Sequence, residues 1–226
     1  MCSVFDVDDE AGFERFLDEY GVEHQGEMIF GRRRRPTTRV SIVTGRHGVH
    51  QLENAIWHLY LEKQGDTWKP HKKYWSINSN WKKLGQRPEY RKSRCLIPAT
   101  AWVESQHGKN PVEFRFDRPF FFCGLYKTWG DLLSCSIITL AAHPDTTRFH
   151  EKSFPMIAPA DPAFVDQWLD GGEDTQAFES YLHPDIRFDG ADLLVQPLHK
   201  AMGLEYTGEA QQVNQYVPPG TSQSLF

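Results

Sequence analysis

Between residues 95 and 142 the chain consists almost entirely of strand-length runs, and this stretch most narrows the folds open to it. Residues 95–103 are a nearly continuous apolar run, 112–116 alternate apolar and charged side chains, and 120–126 and 134–142 return to apolar, aromatic and β-branched residues. Such runs read as strands that are half or wholly buried in a sheet. Asn110-Pro111 and Arg118-Pro119 mark turns between them. Residues 39–44 and 54–61 predict two earlier strands, and 193–198 a last one.

Helical spacing is confined to the flanks. Phe13, Phe16, Leu17 and Tyr20 share one face of a helix over 9–21, with Gly21 as its stop. Asp161-Pro162 opens a second helix, with Phe164, Val165, Trp168 and Leu169 on one face and Gly171-Gly172 ending it. Residues 175–183 predict a short third helix, stopped before Pro184. Strands in the middle with helices around them give an α+β fold. No linker, repeat or low-complexity tract divides the chain, so 1–216 reads as a single domain, and 217–226, with Pro218-Pro219-Gly220, as an unstructured tail.

No stretch approaches the roughly 20 apolar residues of a membrane span. The opening MCSVFDVDDE has neither the basic nor the apolar region of a signal peptide, so a membrane is not among the expected partners. Cys2, Cys95, Cys123 and Cys135 are widely spaced and form no C-x-x-C pair. This argues against a disulfide framework or zinc knuckle and for a cytoplasmic protein, nucleoid-associated if bacterial. The ten histidines match no metal-binding pattern, and no metal or organic cofactor is called for.

The formal net charge is -5, but it is unevenly spread. From Arg32 to Arg94 there are sixteen Lys/Arg against four Asp/Glu, whereas the rest of the chain has nine against twenty-six. The basic window also contains Trp57, Tyr60, Trp68, Tyr74, Trp75, Trp81 and Tyr90. Cations interleaved with rings suit single-stranded nucleic acid, where cations follow phosphates and rings stack on bases; a solvated face over core aromatics is the other reading. Arg32, Arg33, Arg34 and Arg35, closed by Pro36, read as an exposed loop, and residues 63–94 as a long binding loop.

Removing Met1 makes Cys2 the chain start, with an α-amine and a thiol on adjacent carbons. Their ordinary pKa values, about 8 and about 8.5, leave both partly reactive at neutral pH. An aldehyde can condense with the amine and be closed by sulfur into a thiazolidine, or the thiol can act as a nucleophile with its own amine as base. Three other residues are candidates for such chemistry. Glu104 ends an apolar strand beside Trp102, where burial would raise its carboxyl toward the acid/base range. His150 follows the 134–142 strand and is a loop histidine or a proton shuttle. Asn78 is a turn former or a substrate-orienting amide.

In order along the chain these features resemble a family. They are Cys2 directly after Met1; Trp57 after an apolar pair; Ile77-Asn78; Arg94-Cys95-Leu96-Ile97-Pro98-Ala99, then Trp102-Val103-Glu104; Gly124-Leu125-Tyr126 before Trp129; and Phe149-His150 with Pro155 shortly after. The series resembles the SOS response-associated peptidase (SRAP) family of abasic-site-processing proteins. The resemblance implies a single domain with a twisted, partly barrel-like mixed sheet, short flanking helices and a basic groove. The implied partner is single-stranded DNA, or a single-strand/double-strand junction, carrying an abasic site, bound by a monomer. Cys2 would form a thiazolidine cross-link with the ring-opened sugar and release Met1 autocatalytically, with possible lyase activity. Asn78 would hold the N-terminus or the sugar, Glu104 would act as acid/base, and His150 would move protons at the sugar oxygens.

The chain departs from the family's usual arginines. Met-Cys-Gly-Arg reads Met1-Cys2-Ser3-Val4, Asn-Ala-Arg reads Asn78-Ser79-Asn80, and the arginine after the histidine is replaced by Lys152. Lysine cannot hold a phosphate bidentately. Trp57, Asn80, Lys82, Lys83, Arg87, Lys152 and the run from Arg32 to Arg35 are the residues left to line the DNA path. Two other functions stay open on sequence: an N-terminal-nucleophile amidohydrolase, and a single-strand binder without chemistry.

Overall fold

The structure is a computed structural model describing residues 2–8, 12–23, 26–46, 48–106, 108–170, 172–183 and 192–213. The chain enters through β1 (Val4–Val7), α1 (Phe13–Glu19), β2 (Val22–Glu23) and β3 (Gly31–Arg34). β4 (Arg39–Arg46) and β5 (Val49–Trp57) form an antiparallel pair, followed by a small separate hairpin of β6 (Leu61–Gln64) and β7 (Thr67–Pro70), and by β8 (Asn78–Asn80). A 3₁₀ turn over Trp81–Gln86 and α2 (Pro88–Lys92) lead into the long strands β9 (Arg94–Gln106) and β10 (Lys109–Trp129), and then β11 (Leu132–Leu140). β12 (Phe154–Pro155), α3 (Pro162–Asp170), a 3₁₀ segment over Gln176–Leu182, β13 (Leu193–Pro197) and β14 (Gln211–Val213) follow.

The strands return on themselves. β10 pairs with β9 and β11, β11 runs parallel to β5, β5 pairs with β4, and β4 reaches β9 again. The ring stops short of a regular barrel because two seams are short: β11 meets β5 over residues 133–135, and β4 meets β9 at Val43 and Thr44. Its inside is aromatic. Trp102 lies flat on Phe114, with centroids 5.0 Å apart, and edge-on to Phe120, Phe122 and Phe154. Each such pair contributes about 0.5–1.5 kcal/mol beyond its buried area. β9 is buried on both faces from Arg94 to Glu104, which is why its sequence runs apolar rather than alternating.

α3 closes the outer face of β9. Asp161 Oδ1 accepts the N–H of Ala163, Phe164, Val165, Trp168 and Leu169 are buried, and the Trp168 indole donates to the Cys95 carbonyl at 3.0 Å. The helix end packs directly on Gly45, where a Cβ would run into Asp170 and the Leu169 backbone.

The expected α+β, strand-rich single domain is what forms, with several local corrections. Arg118-Pro119 does not end a strand. β10 runs through it, and the pairing with β9 shifts between Arg115 and Phe120, where a residue without an N–H breaks no ladder. The run expected as an exposed arginine loop is mostly β3, paired with β1, itself a strand not foreseen in the short chain start. The strand expected over 54–61 is two, β5 and β6. The basic stretch expected as one long loop holds β6, β7, β8 and α2. The tail at 217–226, Gly171 and Pro184 lie outside the described residues. No helix among the described residues is long and apolar enough to cross a membrane.

Candidate active site

Antiparallel register brings the chain start to the end of β9. Val4 sits opposite Val103 and Phe5 opposite Trp102, so Cys2 emerges beside Glu104 and Ser105. From another edge, β8 pairs in parallel with β11, Asn78 opposite Ile137, and the Asn78 side-chain amide donates to the Cys2 carbonyl at 2.8 Å. The Asn78 Oδ1 is buried and accepts no hydrogen bond. From a third direction, the segment after β11 carries His150, whose Nε2 lies 3.5 Å from Glu104 Oε2. Cys2, Asn78, Glu104 and His150, spread over the first 150 residues, therefore meet at one point.

Burial sets their protonation. It pushes the Glu104 carboxyl from 4.5 up to about 7 and holds the His150 imidazole below its ordinary value. His150 Nδ1 lies 3.0 Å from the Ser105 carbonyl, which can only accept, so Nδ1 carries the proton and Nε2 turns its lone pair toward Glu104. Near neutral pH Glu104 is therefore divided between acid and carboxylate beside a neutral imidazole, and a proton can pass between them. Burial also pushes the Cys2 thiol well above its ordinary value, with the nearby Glu104 charge adding to the shift. The thiol therefore needs a base, and Glu104 is within electrostatic reach. Ser105, which orients His150 through its backbone, was missed in the sequence because a carbonyl leaves no trace in residue type.

The residues expected along a DNA path scatter. Trp57 is fully buried in the ring, its indole donating to the Ile77 carbonyl at 2.9 Å, and has no face for a base. Arg33 is buried, donating to Asp6 at 2.7 Å, to Glu113 at 2.9 Å and to the Gly203 carbonyl. Arg32 reaches the same two carboxylates, and Arg34 caps the Arg39 carbonyl; Arg35 is exposed. The arginine run is thus largely a structural clamp, because Asp6 and Glu113 project from the outer face of the same sheet. Asn80 caps the 3₁₀ turn by accepting the Lys82 N–H at 2.9 Å, which leaves Lys82 and Lys83 exposed on that turn. Arg87 donates to the Tyr60 hydroxyl, and Lys152 is exposed two residues after His150. Tyr74 and Trp75 stand clear of the surface, 55% and 62% exposed, three to four residues before Asn78. All four cysteines are free thiols.

Fold and site together define a strand-ring protein organised around its second residue. The model of the SOS response associated peptidase (SRAP) family matches residues 8–203, and the chain belongs to that family. The match begins beyond Cys2, so the place of the cysteine rests on the geometry above. In fold the chain is similar to a crystallised protein from Bordetella bronchiseptica (TM-score 0.67, 19% identity, 87% of this chain and 99% of that one). It is also similar to one from Bacteroides thetaiotaomicron (0.65, 19%, 86% and 92%) and to a phage-related protein from Bordetella bronchiseptica (0.61, 16%, 88% and 95%). No curated protein matches the chain.

Proposed function

We propose that the protein captures abasic sites in single-stranded DNA, or at single-strand/double-strand junctions, through its mature N-terminal cysteine. The observation that carries this reading is the convergence of Asn78, Glu104 and His150 on Cys2 from separate elements. In the unprocessed chain the Cys2 amine is tied up in the peptide bond to Met1, so the first step is release of Met1. The Cys2 thiol attacks the Met1 carbonyl, the peptide becomes a thioester, and water hydrolyses it to free methionine and a chain-start Cys2.

The mature amine then adds to the aldehyde of the ring-opened sugar. Glu104, poised near neutral pH, supplies a proton to the sugar ring oxygen as it opens and later to the hydroxyl that leaves as water. The Cys2 sulfur adds to the resulting imine carbon, and its proton passes to Glu104 and on to His150 Nε2. One C–N and one C–S bond form, one water is lost, and nothing is oxidised or reduced. Asn78 holds the Cys2 carbonyl so that amine and thiol face one carbon, its free Oδ1 accepting from a sugar hydroxyl. If sulfur is slow to close, the imine permits β-elimination of the 3′ phosphate, which is a lyase reaction. Exposed Tyr74 and Trp75, with Lys72, Lys73, Lys82 and Lys83, offer stacking faces and cations to the strand.

The test is to incubate the purified protein with abasic single-stranded DNA and with the intact oligonucleotide. A denaturation-resistant adduct is expected on the abasic strand alone, lost in Cys2→Ala, and the mass of the active protein should lack Met1. No adduct on a verified abasic strand sinks the reading, and ammonia release from glutamine instead points to an amidohydrolase.

A further inference from the structure

Two histidines that this chemistry does not use stand behind the exposed aromatics. His58, fully buried, follows β5. Its Nδ1 lies 2.9 Å from the Tyr60 carbonyl and 3.2 Å from Ser76 Oγ, while its Nε2 accepts the Ser76 backbone N–H at 3.4 Å. The carbonyl must be the acceptor, so Nδ1 carries the proton and Nε2 is the lone pair. His71 makes a matching contact three residues upstream of Tyr74. Its Nδ1 accepts the backbone N–H groups of Lys73 at 3.1 Å and Tyr74 at 3.3 Å. Each ring also backs an exposed one: His71 lies 4.6 Å from the Tyr74 ring, and His58 5.3 Å from the Trp75 ring. Residues 72–75 are all exposed, and the two imidazoles add to the contacts that tie the loop's ends down, the Leu59 and Tyr60 amides on Ser76 and the His71 amide on the Tyr60 carbonyl. Asn78 is held separately, by β8–β11 pairing and by the Trp57 indole on the preceding carbonyl.

We propose that His58 and His71 are positioning residues for strand binding, holding loop 72–75 and its two rings in binding shape by accepting from its backbone, and that protonation of His58 releases the Trp75 end. This rests on the reading that a single strand lies across that loop. A protonated His58 would turn an N–H toward the Ser76 backbone N–H, and that contact would become a repulsion. The groups around the pair are His71 facing His58, Glu62 at 3.9 Å from His71, Lys73 over the Tyr74 ring, and Arg87 and Lys127 against the Tyr60 ring. Burial holds His58 below its ordinary 6.5, so its anchor is intact above that value and lost as pH falls beneath it. The direction is diagnostic. Simple electrostatics strengthens DNA binding as histidines gain charge, whereas loss of positioning weakens it.

The experiment measures affinity for an intact single-stranded oligonucleotide by fluorescence anisotropy between about pH 8 and about pH 5.5. Wild type is expected to weaken about tenfold across that range. In a His58→Gln variant, the amide oxygen stands in for the accepting nitrogen and does not titrate. Its affinity, relative to its own value at the upper pH, is expected to stay flat or rise. Identical profiles in the two proteins, or wild-type binding that strengthens toward acid, would overturn the proposal. Hydrogen-exchange protection of the Ser76 amide is read in DNA-free wild type. Protection should fall as His58 is protonated, and constant protection overturns the pinning without reference to DNA. Absence of binding at every pH overturns the functional reading instead, with the exchange result still deciding whether His58 holds the loop.

Discussion

At the level of single residues, Glu104 shows how the site trades stability for chemistry. Its folded value of about 7 lies above the ordinary 4.5, so its stability contribution is whole below 4.5 and lost as pH rises through 7. Glu104→Gln removes that loss. The variant is expected to be more stable than wild type at pH 8, by up to roughly 3 kcal/mol, with the gain shrinking toward pH 5. Its cross-linking rate should fall about 10²- to 10⁴-fold. Thermal melts at the two pH values and single-turnover gels check both directions; a variant less stable at pH 8 contradicts the burial argument. Asn78→Ala should instead cost about 1 kcal/mol through the lost bond to the Cys2 carbonyl, and slow cross-linking of a saturating strand. These residues were picked out of the sequence by type and by an order along the chain that resembles the family: a thiol at the chain start, a carboxylate ending an apolar strand, an imidazole, an amide. Their protonation states were not, since those depend on how deeply β9 and the segment after β11 bury them.

Among the elements, the β1–β3 edge was read least well. An arginine run looks the same in sequence whether it faces solvent or carboxylates contributed from 27 and 80 residues away. The overlooked sign was Asp6, an acid inside the strand-length run Val4-Phe5-Asp6-Val7, fully buried here and raised by that burial even beside two arginines. Likewise Glu113 is the charged member of an alternating strand, yet it is nearly fully covered. Arg33→Ala leaves both carboxylates to the more exposed Arg32 and is expected to cost about 3 kcal/mol, the low end for breaking a buried pair. The loss should loosen β1, the strand that delivers Cys2, while leaving the salt dependence of DNA binding unchanged. Lys82→Ala with Lys83→Ala should do the opposite, leaving the melt within about 0.5 kcal/mol and lowering the slope of log affinity against log salt by about 1.4. A pair of urea melts and two salt titrations separate the clamp from the DNA face. An Arg33→Ala protein of normal stability with a reduced slope would reverse the assignment.

For the molecule as a whole, segregation of charge matters more than its sum. The central strands themselves came through from the apolar runs, because burial of β9, β10 and β11 leaves a pattern in residue type, whereas their order in the sheet did not. The basic window gave less, since its hairpin and turns are held by contacts such as Trp68 on Trp129 rather than by local periodicity. Among the exposed cations of that window are Lys72 and Lys73, beside exposed Tyr74 and Trp75, and Lys82 and Lys83 on the following turn, on a chain of net charge -5. Non-covalent capture should therefore depend on released counterions, while bond formation should not. With four phosphate contacts, affinity for single-stranded DNA is expected to fall roughly fiftyfold between about 50 mM and about 200 mM salt. Salt added before the abasic strand should suppress adduct at sub-saturating protein, and excess protein should restore it. Salt added after the thiazolidine has closed should release nothing, because covalent bonds hold what the lysines only gathered. Adduct yield measured in both orders of addition checks this, and equal suppression in both orders would mean that the captured state is ionic, not covalent.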